Sequence, residues 1–242
     1  MSDAVVRVHP SLAALGQAAA AVVAAELADA VRARGIASIV CSGGGTPLAL
    51  YAALARRHLD DVPWSHVEFF WGDERYVPPS DPLSNFRLVR DALLVNAPVR
   101  PGHVHPMSTS FADPSRAAAA YDALIRARPS PRFDVALLGI GEDGHTASLF
   151  PGSDAVVERS RLVVAVEQAS ADPPRRLTMA LPALLDARAI HVLAAGRNKG
   201  DALARVWSGE SATTCPAAAI RRADAPVTWW LDAAAAGGIP TR

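Results

Sequence analysis

Lysine is almost missing from these 242 residues: of 24 basic side chains, all but Lys199 are arginine. A chain that uses arginine everywhere else invites a chemical reason for its one lysine. A compact ammonium binds phosphate as a point charge in places too tight for a planar guanidinium; a chance surface lysine is the plainer alternative. Net charge is missing too. Twenty-four Asp and Glu balance the basic residues, so no global field draws nucleic acid or an anionic membrane, and any anion must be recognised locally. The only two cysteines, Cys41 and Cys215, stand apart, with neither a Cys-x-x-Cys pair nor a His/Cys cluster at zinc spacing. That excludes a disulfide framework and a zinc-ligand set, and it fits buried free thiols in a reducing, cytoplasmic setting. No basic segment precedes an apolar run at the N-terminus, and the alanine-rich stretch 13–30 is broken by Gln17, Glu26 and Asp29. Neither a signal peptide nor a membrane span is expected.

Half of the chain is apolar, enough for a sizeable core, and residues 1–242 are expected to form a single domain. Strand-like runs (Ile36 to Cys41, Val67 to Trp71, Phe133 to Leu138, Leu162 to Val166, Ile190 to Ala194, Val227 to Leu231) alternate with helical patterns. The helical patterns cover Leu12 to Arg34, Pro47 to His58, Asn85 to Leu94, Pro114 to Arg128 and Lys199 to Trp207. Such alternation predicts an α/β fold: a mostly parallel, Rossmann-like open sheet with helices on both faces. The Pro-rich pieces 78–82 and 98–106 are short enough to be loops over an active face.

The stretch Phe133 to Gly152 carries an apolar strand straight into a glycine-hinged turn holding Glu142, Asp143 and His145. A parallel sheet presents catalytic side chains in this way, at its carboxyl edge. Gly139-Ile140-Gly141-Glu142-Asp143-Gly144 also matches the dinucleotide fingerprint, but two carboxylates on the turn would repel a pyrophosphate, and Pro151-Gly152 leaves no room for the long helix the fingerprint opens.

A second strand enters Ser42-Gly43-Gly44-Gly45-Thr46-Pro47, where Thr46 is expected to cap a helix and Pro47 to occupy its first position. Glycines that admit a ligand to backbone amides, together with a helix N-terminus, make a phosphate cradle; a plain strand-to-helix turn is the alternative, and the P-loop signature is absent. A third strand delivers Asp73, Glu74 and Arg75, either for function or as a surface ion pair, followed by Ser84 and Asn85, either of which can cap the next helix.

These three segments, in this order and spacing, together resemble the 6-phosphogluconolactonases of the glucosamine-6-phosphate isomerase/deaminase-like superfamily. Arg176-Leu177-Thr178-Met179 and Gly196-Arg197-Asn198-Lys199 match later family segments. The resemblance implies hydrolysis of 6-phospho-D-glucono-1,5-lactone to 6-phospho-D-gluconate in the oxidative pentose phosphate pathway, with no cofactor, metal or covalent intermediate. Implied catalytic residues are His145 as base, Asp143 as its orienting partner, Arg75 toward the oxyanion, and Asp73. Gly44, Gly45 and Thr46, with Arg176 and Lys199, would bind the phosphate and sugar. A phosphosugar lactone is then the partner, with neither nucleic acid nor membrane, and the oligomeric state is left open between monomer and small homo-oligomer. Deaminases of the superfamily carry Asn-Glu-Pro shortly after the histidine, where this chain has Leu149-Phe150-Pro151, which favours lactone hydrolysis over sugar-ring opening. A deaminase-type enzyme and a non-catalytic phosphosugar-binding module are the alternatives. The nucleophile elbow G-x-S-x-G is absent, so Ser148 is not expected to act as a nucleophile.

Overall fold

The computed structural model describes residues 4–130 and 132–239. Its strands are β1 (Val5–His9), β2 (Ala37–Cys41), β3 (Val67–Trp71), β4 (Asp73–Arg75), β5 (Val104–His105), β6 (Phe133–Gly139), β7 (Val163–Glu167), β8 (Arg175–Met179), β9 (Ala187–Ala194) and β10 (Val227–Asp232). Its α-helices are α1 (Leu12–Arg34), α2 (Gly45–Arg57), α3 (Asn85–Val89), α4 (Pro114–Arg126), α5 (Asp154–Val157), α6 (Leu181–Leu185), α7 (Gly200–Trp207) and α8 (Ala233–Ala236).

Seven strands make one parallel sheet in the order β1-β10-β9-β6-β2-β3-β5. All five residues of β2 and the first six of β6 are buried, and successive side chains point to opposite faces, so both faces of the sheet centre are covered. Continuous apolar runs are what such strands require. Helix α1 supplies part of the cover. At 23 residues it is long and apolar enough to cross a bilayer by length and composition, yet it lays Leu15, Ala19, Val23 and Leu27 into the core at helical spacing. Ser11 caps its start by accepting from the Ala14 amide, and Gly35, at φ 78°, ends it.

From β2 the chain steps outward through β3 to β5, then returns to lay β6 on the other side of β2 and steps away through β9 and β10. The reversal between β2 and β6 is the topological switch point, where a crevice opens beyond the carboxyl ends of the strands.

A second sheet, β4-β8-β7, is antiparallel. The strand expected at Leu162 to Val166 belongs to it, as β7, and not to the parallel sheet. Its partner β8, Arg-Arg-Leu-Thr-Met, has too little apolar character to read as a strand in sequence. Gly72 hands the chain from one sheet to the other: its amide donates to the Cys41 carbonyl in the parallel sheet, and its carbonyl accepts from Met179 of β8. Two other expectations are refined. The helix over 85–94 begins as α3 and widens into a π turn over Arg90–Leu94, and the segment 98–106 contains the short edge strand β5.

Candidate active site

The crevice at the switch point is a cleft of about 780 Å³. Its walls come from the carboxyl ends of β2, β6, β9 and β10, with β4 and β8 closing one side. All nine candidate residues, Gly44, Gly45, Thr46, Asp73, Arg75, Asp143, His145, Arg176 and Lys199, line this one cleft.

After β2 the chain turns at Gly44, whose φ of 99° favours a residue without Cβ, and starts α2 at Gly45. Thr46 does not cap this helix. Gly44 is the N-cap and offers no side chain, so no side-chain cap competes for the first amides of α2 beside the cleft. The turn is fixed from behind by Tyr51, whose hydroxyl accepts from the Ser42 amide at 3.0 Å and donates to the Ser42 carbonyl at 2.9 Å.

After β6, His145 Nδ1 and Asp143 Oδ1 lie 2.6 Å apart, and the His145 amide donates to the same oxygen at 3.1 Å. Burial pushes the Asp143 pKa up, but these bonds outweigh it and hold the carboxyl below its usual value. An ionised carboxylate only accepts, so Nδ1 carries the proton and donates, which leaves the lone pair on Nε2. Gly141 is what lets the pair close: a Cβ there would lie 2.1 Å from Nδ1 and 2.6 Å from Asp143 Oδ1. The chain from 140 to 150 forms no helix, which removes the structural context a dinucleotide site needs. Phe150, buried, packs its ring 4.8 Å from the imidazole centroid.

Arg75 and Arg176 face each other across the β4–β8 pair. Arg75 Nη1 donates to the Leu83 carbonyl, while its buried Nε has no hydrogen-bond partner among the described residues. Arg176 is buried and donates to the carbonyls of Pro173 and Asp172. Burial first, then repulsion from Arg75, pulls the Arg176 pKa below its ordinary value. Two like charges on opposed cross-strand positions are unfavourable alone, and an anion between them relieves the repulsion. Asp73 supplies part of that negative charge. Its carboxylate accepts from Ser148 Oγ at 2.7 Å and Asn85 Nδ2 at 3.1 Å, both buried.

Glu74 points away from the cleft. Its two oxygens accept from the amides of Arg75, Asn85 and Phe86 and from Ser84 Oγ, pinning the start of α3 where Ser84 is the cap. Burial raises its pKa against the pull of those amides. The surface ion pair weighed for this segment is therefore absent: both acids are buried and hydrogen-bonded within the fold.

Sequence reasoning did not single out Asn85 or Ser148 as supports of Asp73, nor Tyr51 as a brace of the glycine turn. Asp232 was missed as well. It accepts from the Gly196 amide with both oxygens, shaping the loop that carries Lys199, and also caps α8 through the Ala235 amide. Its only sequence signal is an aspartate between a strand and four alanines, which reads as a helix cap.

Residues 10–230 match the family model described as glucosamine-6-phosphate isomerases/6-phosphogluconolactonase, and the chain belongs to that family. It is 42% identical over 222 residues to a 6-phosphogluconolactonase of Mycobacterium tuberculosis, covering 88% of this chain and 89% of the relative. A Streptomyces coelicolor 6-phosphogluconolactonase is 39% identical over 245 residues, with 96% and 94% covered. The solved 6-phosphogluconolactonase of Trypanosoma brucei superposes with a TM-score of 0.88 at 29% identity, covering 98% of this chain and 99% of that one.

Proposed function

We propose that this chain hydrolyses 6-phospho-D-glucono-1,5-lactone to 6-phospho-D-gluconate, the lactone-opening step of the oxidative pentose phosphate pathway. The observation that carries this reading is the His145–Asp143 pair, whose free Nε2 lines the same cleft as the opposed arginines Arg75 and Arg176. Relatives bearing the 6-phosphogluconolactonase name support it across nearly the whole chain.

A lactone is an activated ester with its leaving oxygen tethered, so catalysis requires an activated water and a stabiliser for the oxyanion. His145 Nε2 takes a proton from water as the water oxygen bonds to C1. The Arg75 guanidinium, which lines the cleft, receives the oxyanion, and Asp143 holds the imidazolium in place. Collapse breaks the bond from C1 to the ring oxygen, which takes the proton from His145 and leaves as the C5 hydroxyl; the new carboxyl group loses its proton to solvent. Asp73 balances the paired arginines. The phosphate sits against the amides of Gly44, Gly45 and Thr46, with Arg176 and Lys199 as its cations. The steps use no metal and no covalent enzyme intermediate, and buried Ser148 serves Asp73 instead of attacking the substrate. In this reading residues 1–242 act as one catalytic domain in the cytoplasm.

Phe150 separates this chemistry from deamination, because an apolar ring beside His145 cannot shuttle a proton to a sugar ring oxygen. One preparation assayed in parallel for acid release from fresh lactone and ammonia release from glucosamine 6-phosphate tests the choice. Acid release above spontaneous opening, with ammonia at background, is expected; ammonia release without lactone acceleration would overturn it.

A further inference from the structure

Lys199 and His145 sit on loops that follow neighbouring strands, β9 and β6, and two residues outside the cleft lining, Asn198 and Arg205, tie those loops together. At one end Asn198 Nδ2 donates to Glu142 Oε1 at 2.6 Å, joining the residue before Lys199 to the residue before Asp143. At the other end Arg205, in the helix that Lys199 precedes, donates from Nη1 to the Asp143 carbonyl at 2.8 Å. The rest of that guanidinium is held by Glu210, through Nε at 2.8 Å and Nη2 at 3.1 Å, and by the Thr214 carbonyl.

Two glycines make the seam possible. Gly196, at φ 98°, allows the Asn198 side chain to fold back, with Oδ1 2.7 Å from where a Cβ would stand. Gly144, at φ 86°, brings the histidine loop against the chain after α7; a Cβ would lie 2.8 Å from Cys215 Sγ, and the Gly144 carbonyl accepts from the Ala217 amide. Neither Asn198 nor Arg205 is among the residues lining the cleft, so neither is placed to touch the substrate.

We infer that Asn198 and Arg205 are positioning residues that lock the Lys199 turn to the Asp143–His145 loop, so that phosphate capture at Lys199 sets the imidazole for attack by water. The inference rests on the lactonase reading above. Its physical basis is that binding energy from a non-reacting part of a substrate can be used to orient the reacting centre, where small displacements are costly in rate. The brace acts on the rate with phosphate bound, and the phosphate contact itself is made by Lys199.

The test compares 6-phosphogluconolactone with unphosphorylated glucono-1,5-lactone in wild type, Asn198→Ala, Arg205→Ala and Arg205→Lys, with calorimetry of 6-phosphogluconate binding. Asn198 is exposed, so its truncation does not threaten the fold. Asn198→Ala and Arg205→Ala should lower kcat on the phosphorylated lactone roughly three- to thirtyfold. Affinity for 6-phosphogluconate should not weaken, since binding energy no longer used to orient the histidine loop stays in binding, and the rate on the unphosphorylated lactone should stay unchanged. Arg205→Lys, which keeps a donor toward the Asp143 carbonyl, should recover part of the loss. Equal slowing of both lactones, an unchanged kcat, or weakened product binding with kcat intact would each overturn the coupling. A wild type that fails to accelerate lactone opening would instead sink the lactonase reading, and this coupling with it.

Discussion

Two histidines in this chain make the same contact and do opposite things. His145 lies 2.6 Å from Asp143, and His191 lies 2.6 Å from Glu26. His145 meets its carboxylate through Nδ1, is 30% exposed, and has no hydrogen-bond partner on Nε2 among the described residues. His191 meets its carboxylate through Nε2 and is 2% exposed, and Trp230 donates its indole N–H to Nδ1 at 3.0 Å. An indole only donates, so Nδ1 of His191 accepts, and Nε2 must carry the proton that goes to Glu26. Both nitrogens of His191 are committed to the fold, between α1 and the neighbouring strands β9 and β10. A histidine beside a carboxylate is therefore not by itself a base. The second nitrogen decides, and the glycine turn at the switch point leaves it unoccupied on a ring that lines the cleft.

The largest effect is expected from His145→Gln, which keeps polarity without basicity. It should lower lactone hydrolysis by about a hundredfold to ten-thousandfold while 6-phosphogluconate still binds, as read by initial rates and calorimetry. Next is Lys199→Ala, which removes one charge-assisted contact worth roughly 1.5–3 kcal/mol. Affinity for 6-phosphogluconate should fall accordingly and affinity for gluconate barely change; equal losses for both ligands would point to a packing role.

His191→Gln removes the imidazole that joins Glu26 to Trp230. It should leave turnover per folded molecule unaltered but reduce unfolding free energy by about 1–3 kcal/mol, because a buried donor or acceptor loses its partner. Urea unfolding beside activity separates the two effects. The smallest effect concerns pH. The Asp143 pKa is depressed below its usual 3.8 in the folded state, so its stabilising bond is fully present above that value and is lost as pH falls through the folded pKa. The stability gap between wild type and Asp143→Asn should therefore hold constant near neutrality and close only in strong acid.

The parallel strands were legible because buried parallel strands are continuous apolar runs, as in Phe133 to Leu138. The small antiparallel sheet was not, since Asp73–Arg75 and Arg175–Met179 are short and polar, and the edge strand Val5–His9 lies largely exposed. Glycine-punctuated turns revealed where side chains would gather, while family resemblance contributed the parts assigned to Arg176 and Lys199. What supports those side chains was hidden by distance along the chain. Ser148 reaches Asp73 across 75 positions and Arg205 reaches the Asp143 carbonyl across 62, and no local pattern encodes either contact. The Thr46 cap failed for a related reason: the helix starts at Gly45, two residues before the Pro47 start that Thr46 capping requires, with glycine as its cap, so no side-chain cap stands in front of its first amides.

The two imidazoles hold opposite tautomers, and nitrogen-15 NMR of histidine-labelled protein, at a pH where both rings are neutral, distinguishes them. His145 should show a protonated Nδ1 and a bare Nε2 whose resonance shifts when 6-phosphogluconate binds, whereas His191 should show a protonated Nε2 and no response to ligand. A His145 ring protonated on Nε2, or a bare Nε2 indifferent to 6-phosphogluconate, would contradict its assignment as the base.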